Sequence, residues 1–226
     1  MNGATIFKFL CDLKLEFQSF DWLEDRGLSE FEILISVILT QNTNWNNVLK
    51  ALDNVKRAKI HTLQDLNALE TNQIAQLIKP SGFYNTKAKR LKGFLNALIK
   101  DFEDLAEFKA KVSREWLLSV KGLGFESVDS ILNYLCKREI LVVDSYTQRL
   151  AFHLGYEFEH YDALREFFQS GVEIEQNALC ECLGKKCELY ELYQIFHAQI
   201  IAFGKKYFKG KNLNDEGKTL LARLRA

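Results

Sequence analysis

Asp144 stands at the end of an apolar run, Glu139-Ile-Leu-Val-Val, and directly before Ser145-Tyr146. A carboxylate at such a junction can cap the helix that follows. It can also hold a fixed negative charge beside a reacting centre, where it stabilises a developing cation or orients and deprotonates a water. Twenty residues earlier lies Gly124, the last residue of Lys121-Gly122-Leu123-Gly124. Two glycines in four residues, between apolar runs, allow a tight turn with backbone close to a partner. The helix that follows, beginning near Phe125 and carrying Ser127, offers free N–H groups and a positive dipole end, which suit a phosphate. Taken alone, the glycine pair reads equally as a sharp helix–helix turn and Asp144 as an N-cap. A third group lies upstream, in Gln41-Asn42-Thr43-Asn44-Trp45. Its indole could stack on a base or fill a core.

The elements that must position these residues are helices. The chain has 226 residues, 47% hydrophobic, with one proline, Pro80. Helix breakers are therefore rare inside long apolar-periodic stretches. Ser29 with Glu32 forms a capping box before a buried helix ending near Thr40. Further helices are expected at about 44–57, after Thr62, after Thr71, from Asn85 to about Phe102, from Ser113 to about Val120, and from Phe125 to Cys136. Asp144 then caps a helix through His153, and two more fit 160–170 and 187–207. His197 falls on an apolar face of the last and reads as a packed core histidine.

The formal net charge is zero, yet charge is unevenly spread. Residues 71–100 carry six basic side chains and no acid, residues 205–226 seven basic and two acidic, and residues 157–191 nine acidic and three basic. One positive and one negative face would follow, or simply solvated helix surfaces. Five cysteines at 11, 136, 180, 182 and 187 give no disulfide framework. No secretory signal and no apolar run of bilayer length is evident, so a reduced, cytoplasmic protein that makes no membrane contact is expected.

In combination these residues resemble the helix-hairpin-helix, Gly/Pro-Asp superfamily of DNA glycosylases, to which endonuclease III belongs. The hairpin, the Val-Asp about twenty residues later, Leu39-Thr-Gln-Asn-Thr, and Ser81-Gly-Phe-Tyr-Asn-Thr-Lys87-Ala match, as do, more loosely, Phe196-His-Ala-Gln-Ile and Phe203-Gly-Lys205. The resemblance implies an all-α fold of two helical lobes, with a helix-hairpin-helix motif and an interlobe active-site cleft. One lobe would span 25–135. The other would join 1–24 to 136–210, followed by a frayed polar tail, 211–226. It makes Asp144 the catalytic carboxylate. Gln41 and Asn42 would enter the duplex, while Lys121, Gly122, Leu123, Gly124, Ser127 and Lys87 would bind DNA.

Two departures narrow the resemblance. Bifunctional members carry a lysine where Glu126 stands, and a carboxylate cannot form an imine, so strand cleavage is not expected. Cysteines do not follow Phe203, and Cys180, Cys182 and Cys187 are wrongly spaced for an iron–sulfur cluster. The pattern is most similar to a bacterial monofunctional 3-methyladenine DNA glycosylase branch. There the base pocket would take Trp45, with Trp22, Glu126 and Lys205 beside it, the last two as a buried pair or with the lysine modified. The implied partner is double-stranded DNA containing alkylated purines, acted on by a monomer associated with the nucleoid. A monovalent cation at the hairpin, when DNA is bound, is implied by resemblance only. The alternatives are an endonuclease III-like glycosylase for oxidised or mismatched bases, and a non-catalytic helix-hairpin-helix DNA-binding protein.

Overall fold

The computed structural model describes residues 1–16 and 27–225. The chain divides into two compact units, one of Glu24–Cys136 and one joining Met1–Leu23 to Lys137–Ala226. The first helix, α1 (Gly3–Asp12), belongs to the second of these.

The contiguous unit holds α2 (Glu30–Leu39), α3 (Trp45–Arg57), α4 (Leu63–Ala68), α5 (Thr71–Leu77), α6 (Tyr84–Asp101), α7 (Leu105–Lys111), α8 (Arg114–Ser119) and α9 (Phe125–Ser130). A 3-10 turn, Lys79–Ser81, precedes α6, and α9 runs on as a π-helical turn, Ile131–Leu135. Helix α2 is apolar around nearly its whole circumference, with Phe31 and every residue from Ile33 to Leu39 buried. Such a helix must be central, and α3, α6, α9 and the π turn pack around it. Its start is fixed by the expected capping box: Ser29 N donates to Glu32 Oε2 at 2.8 Å and Glu32 N to Ser29 Oγ at 3.2 Å. Across the glycine hairpin, Arg114 Nε donates to Asp129 Oδ1 at 2.7 Å, and Asp129 is fully buried. That pair ties α8 to α9. Removing one partner of a buried pair typically costs about 3–5 kcal/mol.

Two caps differ from expectation. Glu70, not Thr71, caps α5. Helix α6 begins at Tyr84 rather than after Asn85, and its N-cap Phe83 is left-handed at φ 45°.

The other unit adds α10 (Ser145–His153), α11 (Tyr161–Gln169), α12 (Gln176–Leu183), α13 (Leu189–Tyr207), a two-stranded hairpin of β1 (Phe208–Lys209) and β2 (Asn212–Leu213), and α14 (Asp215–Arg225). Helix α13 is the axis, packed by α1, α10 and α12. Phe7, Phe168, Phe196 and Phe203 fill the core, with Phe7 and Phe196 ring centres 5.0 Å apart. Helix α10 approaches α13 at Gly204, where an added Cβ would lie 2.1 Å from the Tyr146 ring. Only glycine fits there, and the contact fixes the start of α10. The tail is not frayed: Leu221 on α14 is fully buried, because the amphipathic helix covers the apolar core beside Leu213. Among the described residues no helix is long and apolar enough to cross a membrane.

Candidate catalytic carboxylate and nucleic-acid interface

Asp144 is the N-cap of α10, in extended backbone. Its Oδ1 accepts from Tyr146 N at 2.9 Å, Thr147 N at 2.8 Å and Thr147 Oγ1 at 3.0 Å. Thr147 Oγ1 in turn accepts from Asp144 N at 3.2 Å. The reciprocal box locks the side chain. The other oxygen, Oδ2, lies 4.0 Å from His197 Nε2 on α13. Burial holds the His197 imidazole below its usual pKa, against an opposing pull from the Asp144 charge. At neutral pH it faces Asp144 as a neutral ring. Capping and chemistry are thus compatible: one oxygen satisfies the helix and the second is held separate from it. The sequence reading of His197 as buried stands, but it missed what the ring faces, since the two residues are far apart in the chain.

In the contiguous unit, the hairpin and the Gln41 segment form one hydrogen-bonded assembly. Gln41 Nε2 donates to Gly122 O at 3.0 Å and Ser127 Oγ at 3.2 Å. Arg90 Nη1 donates to Gln41 Oε1. The same arginine's shaft covers Gly122, where an added Cβ would meet Arg90 Cγ at 2.6 Å. Gly122 has φ 101° and needs to be glycine. Gly124 does not need to be glycine for the fold: its φ is −99°, and an added Cβ would meet nothing within 4 Å. Its open side is where another backbone could approach. Lys121 is exposed, and Leu123 turns inward and is buried. Asn42 is exposed in the left-handed region at φ 54°, and Trp45, first residue of α3, is half-buried.

Several expectations need correcting or completing. Lys87 is not at a DNA-facing surface. It is buried, and its ammonium donates to Leu39 O at 2.8 Å and Ser81 O at 2.6 Å. Burial first, and the Arg90 charge second, bring its pKa down to about 8. It closes the C-terminus of α2 onto the turn before α6, which places Gln41. Glu126 and Lys205 are each exposed rather than buried. Trp22 lies outside the described residues. Phe83 went unnoticed in the sequence, although it is 71% exposed in a strained left-handed conformation. An exposed aromatic held in strain is a common mark of a functional site. Arg90 was also missed; only its spacing of three from Lys87, on one helix, hinted at a shared role.

Burial pushes the Cys11 thiol up to about 12 and the Cys187 thiol up to about 11. Among the described residues no group of three or more His, Cys, Asp or Glu side chains is arranged to hold a metal ion.

A family model described as the HhH-GPD superfamily base excision DNA repair protein matches residues 35–173. A Methanocaldococcus jannaschii protein provisionally named a DNA repair glycosylase, MJ1434, is 34% identical over 194 residues, covering 83% of this chain and 82% of its own. Among solved structures, the H. pylori 3-methyladenine DNA glycosylase MagIII bound to 1,N6-ethenoadenine superposes with a TM-score of 0.85 at 38% identity, covering 93% of this chain and all of that one. A trapped endonuclease III–DNA covalent intermediate shares the fold at a TM-score of 0.60 and 21% identity, covering 83% of this chain and 79% of that one.

Proposed function

Since the chain belongs to the HhH-GPD superfamily of base excision DNA repair proteins, we propose that it is a monofunctional glycosylase that hydrolyses the N-glycosidic bond of alkylated purines, chiefly 3-methyladenine, in duplex DNA. The observation that carries this reading is the state of Asp144, whose Oδ1 is committed to the helix cap while Oδ2 is held apart, opposite a neutral imidazole.

The bond to be broken is hidden in the base stack, so the nucleotide must be rotated out at a cost of a few kcal/mol. Asn42 and the ring of Phe83 are exposed and suited to fill the space left behind, and Gln41 joins them by giving up its hydrogen bonds to Gly122 O and Ser127 Oγ. The hairpin, with Lys121, Gly122, Gly124 and Ser127, grips the backbone without reading sequence. Trp45 stacks on the extruded base, which is worth roughly 1–3 kcal/mol. A positively charged alkylated ring adds about 0.5–2 kcal/mol of cation–π attraction. Alkylation has already made the base a good leaving group, so no second carboxylic acid is required. Asp144 stabilises the oxocarbenium-like sugar and orients or deprotonates the attacking water.

Glu126 supports the monofunctional assignment, because it cannot form an imine with the sugar. No iron–sulfur cluster enters this reading, because Cys180, Cys182 and Cys187 do not have the spacing of a cluster motif. Val120 O accepts from Leu123 N and Gly122 O from Gln41 Nε2, and carbonyl oxygens of this turn, with two lone pairs each, suit a monovalent cation at the hairpin when DNA is bound.

The test is chromatography of bases released from methylated DNA by the parent and by Asp144→Asn. Asparagine keeps an oxygen for the cap, so the fold should survive. The parent should release 3-methyladenine, and the variant should bind DNA yet release little. Equal release by both would remove Asp144 from the chemistry. Imine capture by borohydride should fail, and its success would return the reading to an endonuclease III-like lyase.

A further inference from the structure

Both ends of the Gln41 carboxamide are engaged in the free protein. Its Nε2 donates to the glycine hairpin, to Gly122 O at 3.0 Å and to Ser127 Oγ at 3.2 Å. Its Oε1 accepts from Arg90 Nη1 on α6. A carboxamide offers an NH2 group with two donors and one acceptor oxygen, so both polar atoms of the side chain have partners. The residue that must enter the duplex is docked on the element that must grip it.

Helix α6 clamps the Gln41 segment at two points. Lys87, three residues before Arg90, holds the backbone through Leu39 O at 2.8 Å. Arg90 holds the carboxamide. The Arg90 shaft also lies against the hairpin, where a Cβ on Gly122 would meet its Cγ at 2.6 Å and its Cδ at 2.7 Å. The guanidinium therefore stands between Gln41 and the hairpin backbone. Gln41, Arg90 and Ser127 are all half-buried, and Asn42 beside them is exposed in the left-handed region at φ 54°. A ligand arriving at the hairpin can reach the whole arrangement.

Charge decides what can undo the docking. Residues 84–100 carry five basic side chains and no acid. The oxygen that Arg90 holds on Gln41 is neutral. A phosphate offers the same guanidinium two anionic oxygens in a fork geometry, with a Coulomb attraction that an amide lacks. Ser127 Oγ accepts from Gln41 and keeps its own hydroxyl proton for a further acceptor. An anion at the hairpin thus competes for Arg90, while nothing on Gln41 can match it.

We infer that Arg90 is a positioning residue that stows Gln41 on the glycine hairpin in the free protein and releases it when a DNA phosphate takes the guanidinium. Capture of the backbone and entry of Gln41 are thereby coupled. The phosphate that draws Arg90 away frees Oε1, and Nε2 then leaves Gly122 O and Ser127 Oγ. The inference rests on the reading of Gln41 as a duplex-entering residue of a glycosylase, and it adds the step that brings the side chain out.

The test is a double-mutant cycle on binding of an undamaged fluorescent duplex by the full chain, Gln41→Ala, Arg90→Met and the two together, alongside release of methylated bases. Bases of an undamaged duplex stay stacked, so Gln41 gains little by entering and the cost of unstowing it dominates. Methionine keeps an unbranched shaft against Gly122 and lacks the guanidinium. Gln41→Ala should bind this duplex about three- to tenfold more tightly than the parent, the net worth of about one hydrogen bond, even as its release of methylated bases falls. In the Arg90→Met background the same substitution should change binding by less than about twofold, since the remaining partners of Gln41 are neutral groups that water replaces. A second measurement needs no Arg90 variant: solvent exchange of the Gln41 side-chain amide protons, followed by NMR, should be slow in the free protein and faster once undamaged duplex is added. Unchanged or weaker binding by Gln41→Ala, an equal gain with and without the arginine, or fast exchange in the free protein overturns the stowing. A parent that binds duplex but releases no base would overturn the glycosylase reading, while the cycle on undamaged DNA still decides the role of Arg90.

Discussion

The imidazole Nε2 of His197 lies 4.0 Å from Oδ2 of Asp144, with the two side chains 4% and 11% exposed. Neither forms part of a sequence motif with the other. Together they set beside the carboxylate a titratable group of α13 that burial keeps uncharged at neutral pH.

The lowered pKa of His197 has a stability consequence. Its ordinary value is 6.5 and its folded value lies below that. The unfolded chain therefore binds the proton more readily. The contribution to stability is fully present above about pH 6.5 and is lost as the pH falls toward the folded value. Urea unfolding of the parent should show a falling midpoint below pH 6.5, and His197→Asn should flatten that component. Protonating the ring would also pair it with Asp144, so the acid limb of base release should move in the variant. An unchanged pH profile in both measurements would disconnect His197 from Asp144.

Gly122 and Gly124 should separate into a folding residue and a binding residue. At Gly122 the backbone is left-handed and an added methyl would meet Arg90 Cγ at 2.6 Å, so Gly122→Ala should destabilise by about 1–3 kcal/mol. At Gly124 the backbone is ordinary and the space open. Gly124→Ala should leave stability unchanged or raised by up to about 1 kcal/mol, and yet weaken DNA binding, because the methyl would stand between the hairpin and a phosphate. Thermal unfolding and duplex binding, measured side by side, check the contrast.

These residues also mark what a chain alone reveals. The hairpin, the capping boxes and the junction at Asp144 depend on neighbours within a few positions, where glycine, serine and carboxylate chemistry acts locally, so they were legible. The direction of Lys87 was not. A basic helix face reads as a surface, and only the fold shows that the C-terminus of α2 and the turn at Ser81 leave two carbonyls, Leu39 O and Ser81 O, for one buried ammonium. The same limit hid Arg90 behind Gln41, His197 behind Asp144, and α14 within a stretch whose composition looked like a polar tail.

Lys87→Met tests that inward role. Methionine fills similar space but donates nothing, so two carbonyls lose a charged donor. Hydrogen bonds to charged groups contribute about 1.5–3 kcal/mol each, partly offset by no longer burying the ammonium. A net loss of about 2–4 kcal/mol in denaturant unfolding is expected. The salt slope of DNA binding should stay near parental, since the side chain reaches no phosphate. A reduced slope with unchanged stability would restore Lys87 to the DNA-binding set.

The sharpest coupling between packing and chemistry runs through Gly204. A methyl there would overlap the Tyr146 ring at 2.1 Å, and Tyr146 N is one of the three donors that hold Asp144 Oδ1. Overpacking of this kind typically costs about 1–3 kcal/mol, and the strain is relieved most readily by moving the first turn of α10. Gly204→Ala should therefore fold with a lower thermal midpoint and bind DNA nearly as the parent does. Base release should fall by about tenfold or more, as misplacement of a reacting group by about 1 Å implies. Tyr146→Ala in the same chain removes the overlap and should recover part of the lost rate. A Gly204→Ala protein with parental release would show that Asp144 is positioned by its own cap alone, independently of the approach of α10 to α13.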